Sequence, residues 1–456
     1  MESPQSEQLR LRRFASELSP SELARLEEQI AGIDFELIEK LNRSEDAKVD
    51  WEELAARAIA PPAVRLGEEA EFGTATEARQ RGEEALRAGK VAVILVAGGQ
   101  GTRLGFDKPK GMFPIGPLSD RSLFQIHSDR LAAVMHRYNV SIPMFVMTSP
   151  ATDRTTREYF EANDNCGLAP EQLRVFRQGT MPAVDDQTGE VLLAEKSCIA
   201  LSPDGHGGLV AALEKNGCLA EAQAAGIEYF FYAQVDNPLV QLCDPELIGY
   251  HLLAESQLTT QVVQKRFAAE KVGNVVSVDG KVQIIEYSDL PVEASERVGA
   301  NGELELWAGN IAVHVFNRQF LQSVVEDVDG LPFHRAHKKV PFVDQSGELV
   351  QPEEPNAIKF ERFVFDLLPL ADRAIVVEGD PAKVFAPVKN AEGAPVDTAT
   401  HAKAAQLALF REWLVDAGAT VPEGVQVEIH PSWALDASEV REKINSIVFE
   451  TDTYLR

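Results

Sequence analysis

Along the first 88 residues, apolar positions recur at helical spacing: Leu23, Leu26, Ile30 and Ile33 share one face. Ser19-Pro20-Ser21-Glu22 predicts where that helix starts, combining a capping box with proline at the first helical position. Pro61-Pro62 interrupts the pattern, and a further helix is expected over residues 76–88. From Val91 the pattern changes. Val91 to Val96 is an unbroken apolar run rich in β-branched residues and reads as a buried strand, as do Ile142 to Thr148 and Tyr229 to Val235. Val275 to Val278, Asp279-Gly280 and Lys281 to Ile285 predict a hairpin, because Asp-Gly is the favoured two-residue turn. Trp307-Ala308-Gly309-Asn310 precedes an apolar strand expected over Ile311 to Phe316. After Lys389-Asn390 a polar loop, AEGAPVDTATH, leads to a helix near residues 402–417 and short signals up to Arg456. The alternation predicts an α/β fold with a Rossmann-like, mostly parallel sheet. The expected segments are a helical N-terminal extension over 1–88, a catalytic core over 89–386 and a small C-terminal domain over 387–456. No internal repeat or low-complexity tract is evident.

Composition narrows the partners. Asp+Glu number 71 against 44 Lys+Arg, a net charge of −27, which argues against nucleic acid or an anionic membrane surface. Any phosphate site must be a local basic pocket screened from that field. Cys166, Cys198, Cys218 and Cys243 form no Cys-x-x-Cys pair and show neither zinc nor disulfide spacing. The opening MESPQSEQLR lacks a basic-then-apolar leader pattern, and no run approaches a membrane span. A reducing, cytoplasmic setting is expected.

The chemistry gathers first around VAVILVAGGQGTRLGFDKPKGMFPIG, Val91 to Gly116. A strand runs into Gly98-Gly99-Gln100-Gly101, then Arg103, Lys108 and Lys110. Glycines let a backbone approach a ligand and aim its N–H groups, and the cations that follow point to a phosphorylated one. No Gly-Lys-Ser/Thr closes a Walker A loop, and Gly105 comes one residue late for a dinucleotide fingerprint. Asp236 ends an apolar strand; it could be a magnesium ligand or a turn aspartate. Ligands of such sheets bind at the carboxyl ends of strands, where both lie. Ser202 to Gly208, SPDGHGG, is a second glycine-rich loop, either a tight turn or a close approach to base or sugar, with His206 a possible donor to a sugar hydroxyl. Lys359 and Lys389 each flank an apolar run; HRAHKK, His334 to Lys339, reads as a solvated or structural patch. Asn310 could face a ligand or make a turn. No serine–histidine–acid arrangement stands out, and nothing demands covalent catalysis.

Taken in order, AGGQGTRLG with PKGMFPIG, RQGTMPAV, SPDGHGGL, QVDNPLV, VVQK, IIEYSDLP, AGNIAVHVF, HKKVPFVD, NAIKFERFVFD and APVKN resemble the UDP-N-acetylhexosamine pyrophosphorylases within the UDP-sugar pyrophosphorylase family. The resemblance covers about Val91 to Asn390. It implies a nucleotidyltransferase core that makes a UDP-sugar and pyrophosphate from UTP and a sugar 1-phosphate with Mg2+. It implies that Val96, Ala97, Gly98 and Gly99 hold the uridine and its phosphates. Arg103 and Lys110 would neutralise the triphosphate and the departing pyrophosphate, Gln178 and Gly205 would contact uracil, and Asp236 would bind the metal. Glu286, Tyr287 and Asn310 would read the sugar, Lys359 the nucleotide phosphates and Lys389 the sugar phosphate. One departure matters: the N-acetylhexosamine enzymes carry asparagine where this chain has His206, whereas Gly-His-Gly is common in glucose-1-phosphate and broad-specificity relatives. The flanking motifs favour N-acetylglucosamine 1-phosphate. A UDP-glucose or broad-specificity enzyme is the alternative. A non-catalytic nucleotide-sugar sensor is more remote, because Arg103, Lys110, Asp236 and Lys389 are all present.

Overall fold

The structure is a computed structural model that describes residues 4–43, 50–327, 330–444 and 446–456. Met1–Ser3, the start of the segment inspected for a leader, lie outside the described residues. The chain divides into two compact units. The larger comprises residues 51–177, 213–326 and 367–456, and the smaller residues 1–50, 178–212 and 327–366. Neither unit follows the three consecutive segments expected from the sequence. The helical segment 1–88 is split at residue 50, and the expected core sends two excursions into the smaller unit.

The larger unit is built on one sheet. Its strands are β1 (Ala63–Val64), β2 (Val91–Val96), β3 (Met144–Thr148), β4 (Leu173–Arg177), β5 (Tyr229–Gln234), β6 (Leu258–Gln264), β7 (Asn274–Val278), β8 (Lys281–Ile285), β9 (Ala308–Asn317) and β10 (Ala374–Glu378). They lie in the order β1-β10-β6-β9-β5-β2-β3-β4, with the β7–β8 hairpin attached to β9. Every pairing along that path is parallel except the two that β9 makes with β5 and β6. The first five residues of β2 are all buried, as a central strand covered on both faces requires. Asp279 and Gly280 at the hairpin turn have φ of 51° and 81°, the left-handed pair that a tight right-twisted hairpin needs.

Helices are fixed at their starts by the residues the sequence offers. Thr74 and Glu77 form a capping box for Ala75–Arg87, and Ser122 and Gln125 another for Leu123–Tyr138. Ala75–Arg87 crosses Pro245–Leu253 at unusually close range. A Cβ on Gly249 would lie 1.6 Å from the Ala78 carbonyl oxygen, and one on Gly82 would lie 1.8 Å from that of Pro245. Near the end of the chain, Ala399–Asp416 and the parallel pair Val427–Ile429 and Thr453–Leu455 close a separate core. Leu409, Phe410, Trp413, Leu414, Val427 and Ile429 pack there together with Leu239.

In the smaller unit, Ser19 and Glu22 form the expected capping box of Pro20–Ala31. Leu26, Ile30, Phe35 and Ile38 bury against Val184, Leu193, Ile199 and Phe360. Ala357–Glu361 pairs with both His334–Lys338 and Val184–Asp185. HRAHKK is therefore mostly an edge strand, half-buried to exposed, with His334 bonded to Asp366 at 2.8 Å and His337 bonded to Asp186.

Candidate functional site

The apolar run of β2 ends at Val96, and the chain then leaves the sheet as a glycine loop that folds on itself. The Gly101 N–H donates to Lys108 O at 2.9 Å, and the Lys110 N–H to Gly99 O at 3.0 Å. The Ser149 hydroxyl pins the loop by donating to Gly98 O at 2.7 Å. Among the described residues, the amides of Gly98, Gly99 and Gln100 donate to no protein acceptor, and Gly99 and Gln100 are exposed. Consecutive unspent N–H groups past a strand's carboxyl end are suited to an anion. Ala97 is buried, so it supports the loop instead of presenting a side chain. Gly111 is required by packing, since a Cβ there would meet the Phe124 ring at 2.2 Å.

β5 runs parallel to β2 and delivers Asp236 just past its own carboxyl end. Lys110 Nζ lies 3.2 Å from Asp236 Oδ2, which joins two of the residues singled out from the sequence. Both side chains are largely buried, at 18% and 12% exposure, so the contact is less screened than a surface ion pair. Asn237, to which the sequence reading gave no role, ties the last motif to this one. Its Oδ1 accepts from the N–H of Ala386 at 3.0 Å, and its Nδ2 donates to Val384 O at 2.7 Å. The Val388 N–H then donates to the Asp236 carbonyl at 2.9 Å, and this places Lys389 beside Asp236.

Asp397 was also missed. Its carbonyl accepts from the N–H groups of Lys389 and Asn390 at 2.8 and 3.0 Å, and its φ is 59°. Burial holds its carboxyl above the ordinary range; Lys389 and Arg266 oppose this, and Asp236 reinforces it. Two carboxylates and a lysine thus share one electrostatic neighbourhood. No local pattern flags a lone aspartate within AEGAPVDTATH. Its importance comes from the turn that folds it back on Lys389.

The residues expected to read a sugar come from the β7–β8 hairpin and β9. Glu286 follows β8 directly; burial raises its carboxyl above the usual range, Asp289 adds to this, and Lys389 opposes it. Tyr287 is exposed. Asn310 differs from the expectation of a residue ahead of its strand, since β9 begins at Ala308 and contains it. The strand bulges there: the register with β6 shifts between Gln261 and Val262, and Ala312 has a φ of 56°. Asn310 Oδ1 accepts the Ala312 N–H at 2.9 Å, which braces the bulge, and the Asn310 N–H donates to Gly273 O at 2.9 Å. Arg103 lies exposed in a short 3-10 turn, Thr102–Leu104; no bond joins it to Lys110 or Asp236.

In the smaller unit, short strands Thr180–Pro182 and Leu201–Pro203 pair antiparallel and bring Gln178 next to the SPDGHGG loop. Gln178 Nε2 donates to Asp204 Oδ1 and to Gly205 O, both at 3.4 Å. Gly205 has a φ of 80°, and the Arg362 carbonyl would stand 2.3 Å from any Cβ there, so only glycine fits. Arg362 extends the strand that carries Lys359. Its N–H donates to Asp204 O, and its carbonyl accepts from the Gly207 N–H, both at 2.8 Å. His206 is anchored as well. Its Nδ1 accepts the Val364 N–H at 3.0 Å, and its ring lies against Phe363 and Phe365. Burial lowers its pKa to about 4, so the ring is neutral near pH 7 with its proton on Nε2.

Residues 35–407 match the family described as UTP–glucose-1-phosphate uridylyltransferase. The UDP-N-acetylhexosamine pyrophosphorylase-like protein 1 of Xenopus tropicalis is 39% identical over 428 residues, covering 91% of this chain and 84% of that protein. The UDP-N-acetylglucosamine pyrophosphorylase of Saccharomyces cerevisiae is 39% identical over 356 residues, covering 76% and 74%. The crystal structure of a putative UDP-N-acetylglucosamine pyrophosphorylase from Entamoeba histolytica superposes with a TM-score of 0.76 at 35% identity, covering 84% of this chain and 96% of that one.

Proposed function

Because the chain belongs to the UTP–glucose-1-phosphate uridylyltransferase family, we propose that it makes UDP-N-acetylglucosamine and pyrophosphate from UTP and N-acetylglucosamine 1-phosphate. The observation that carries this is the Lys110–Asp236 contact beside the unspent amides of Gly98 and Gly99. The choice of sugar rests on relatives named for N-acetylhexosamine or N-acetylglucosamine at 39% identity.

The reaction is an in-line displacement. A phosphate oxygen of the sugar 1-phosphate attacks the α-phosphorus of UTP, and the bond from that phosphorus to the β-phosphate bridging oxygen breaks. Such chemistry needs positioning and charge neutralisation more than a covalent partner. In the larger unit, Val96 to Gly99 hold the nucleotide's backbone, and Arg103 and Lys110 stabilise charge on the departing pyrophosphate. Lys389 orients the attacking phosphate, and Glu286, Tyr287 and Asn310 read the sugar. In the smaller unit, Gln178 and Gly205 contact uracil, Lys359 meets nucleotide phosphate, and His206 offers its Nε2–H to a sugar hydroxyl.

The donor set fits Mg2+. Asp236 offers a hard oxygen, Asp397 shares its neighbourhood, and magnesium bound with substrate phosphates needs only one or two protein carboxylates. Among the described residues no cluster of three or more His, Cys, Asp or Glu could hold a metal alone. When bound, the ion would neutralise phosphate charge, and Asp236 is the residue to hold it. No helix among the described residues is long and apolar enough to cross a membrane. Free Cys166, Cys198, Cys218 and Cys243 suit a reducing, cytoplasmic setting.

Pyrophosphate release from UTP, measured across a panel of sugar 1-phosphates, tests the reading. The highest kcat/KM is expected with N-acetylglucosamine 1-phosphate. Turnover confined to glucose 1-phosphate would move the chain to the sister specificity, and turnover with none of the panel would sink the assignment. A second test concerns the SPDGHGG loop. His206→Asn should raise the preference for N-acetylated over plain sugars, because the aromatic anchor to Val364 is replaced by a shorter amide. An unaltered preference ratio would remove this loop from sugar selection.

A further inference from the structure

Lys265 follows β6 and is only 5% exposed, a rare position for lysine. Its stem packs over Gly309, where a Cβ would meet Lys265 Cγ at 3.5 Å. Its Nζ donates to Asn274 Oδ1 at 2.6 Å. Among the described residues, that neutral amide is its one hydrogen-bond partner. Burial lowers the lysine's pKa and the nearby Glu270 opposes this, yet an ammonium whose hydrogen-bond acceptor is a neutral amide still costs more to bury than an apolar chain of the same length, so stability alone does not account for lysine here.

Asn274 shows where the contact leads. It is 2% exposed, and its Nδ2 donates to Val272 O at 3.3 Å and to Ile285 O at 3.2 Å. Ile285 is the last residue of β8, and Glu286 is the next in the chain. Gly273, beside Asn274, is closely packed by the hairpin end: a Cβ would lie 2.9 Å from Ile284 Cγ2 and 3.0 Å from Glu286 Oε1. The Gly273 carbonyl also accepts the Asn310 N–H. One chain of contacts therefore runs from Lys265 through Asn274 to the base of Glu286 and, through Gly273, to Asn310.

We propose that Lys265 is a positioning residue for the sugar, acting through Asn274 to fix the hairpin end that presents Glu286 relative to Asn310. This rests on the reading of Glu286 and Asn310 as sugar contacts. This role gives Lys265 no contact with the nucleotide, so its loss falls on one substrate. A misplacement of about 1 Å at a binding group is enough to cost an order of magnitude or more.

The test is steady-state kinetics of the full chain with each substrate varied in turn. Lys265→Met keeps the stem and removes the ammonium. It should raise KM for N-acetylglucosamine 1-phosphate by ~10-fold or more, with KM for UTP changed by less than about two-fold. Lys265→Arg keeps a buried cationic donor and should recover part of the loss. A double-mutant cycle with Glu286→Gln should be non-additive, because both changes disable the same contact. Equal rises in both KM values, no change in either, or full additivity would each overturn the proposal. If Lys265→Met does not fold, Lys265→Gln, which keeps a donor on a shorter stem, is judged by the same split. The Glu286→Gln single variant separates the two levels: an unchanged sugar-phosphate KM there overturns the sugar reading itself, whatever Lys265 does.

Discussion

Replacing Lys110 with alanine should lower the turnover number by at least ~10²-fold, with a smaller change in KM for UTP. Its ammonium is held 3.2 Å from Asp236 in a largely buried setting. A cation kept there is already placed and partly desolvated, so little reorganisation is needed when charge builds up on the leaving pyrophosphate. Interactions that strengthen only as the bond breaks appear in kcat, whereas uniform binding appears in KM. Lys110→Arg retains the charge on a different geometry and should fall between wild type and alanine. Single-turnover rates with saturating UTP would check this, and an unchanged alanine rate would show that Lys110 is not part of the chemistry. The substitution should leave the fold intact, because the lysine packs in no apolar core.

Gly249→Ala should cost about 3 kcal/mol or more of stability, a large effect for one methyl group. The added Cβ would lie 1.6 Å from the Ala78 oxygen and 2.3 Å from its carbonyl carbon. Those are backbone atoms and cannot rotate away, so the two helices would have to separate along the crossing where Gly82 meets Pro245. Alanine is otherwise the better helix former, so a loss of stability would isolate the steric term. Urea unfolding followed by circular dichroism is the measurement. Gly32→Ala, where the nearest atoms stand at an ordinary 3.5 Å, should shift stability by no more than about 1 kcal/mol. A Gly249→Ala midpoint equal to wild type would show that the crossing relaxes freely.

Features that depend on neighbours in the chain were legible from the sequence. The buried run of β2, the Ser19 capping box, the Asp279-Gly280 turn and the placement of Asp236 at a strand end all rest on local patterns. Features created by pairing across long separations were not. Asn310 lies inside β9 because the bulge opposite Gln261 and Val262 lets the strand start earlier than its apolar run. Asp397 matters because a left-handed turn folds it onto Lys389, and Lys265 because β9 and the hairpin enclose it. Isolated aspartates and lysines are ordinarily solvated, so the residues around Asp397 carry no sign of its position, and VVQK marks Lys265 only as part of a resemblance, without its burial. The helical extension was legible as helices, yet not the boundary at residue 50, because residues 178–212 and 327–366 supply the strands those helices cover.

That composite origin has a consequence for synthesis. The apolar face of Pro20–Ala31 is made within the first tens of residues, but Phe360, part of the core that covers it, is translated more than three hundred residues later. Leu11, Phe14, Phe35 and Ile38 reach that core early, Val184 to Ile199 follow near mid-chain, and Val343 and Phe360 complete it last. The slowest folding step is expected to be closure of this early-made, late-completed core.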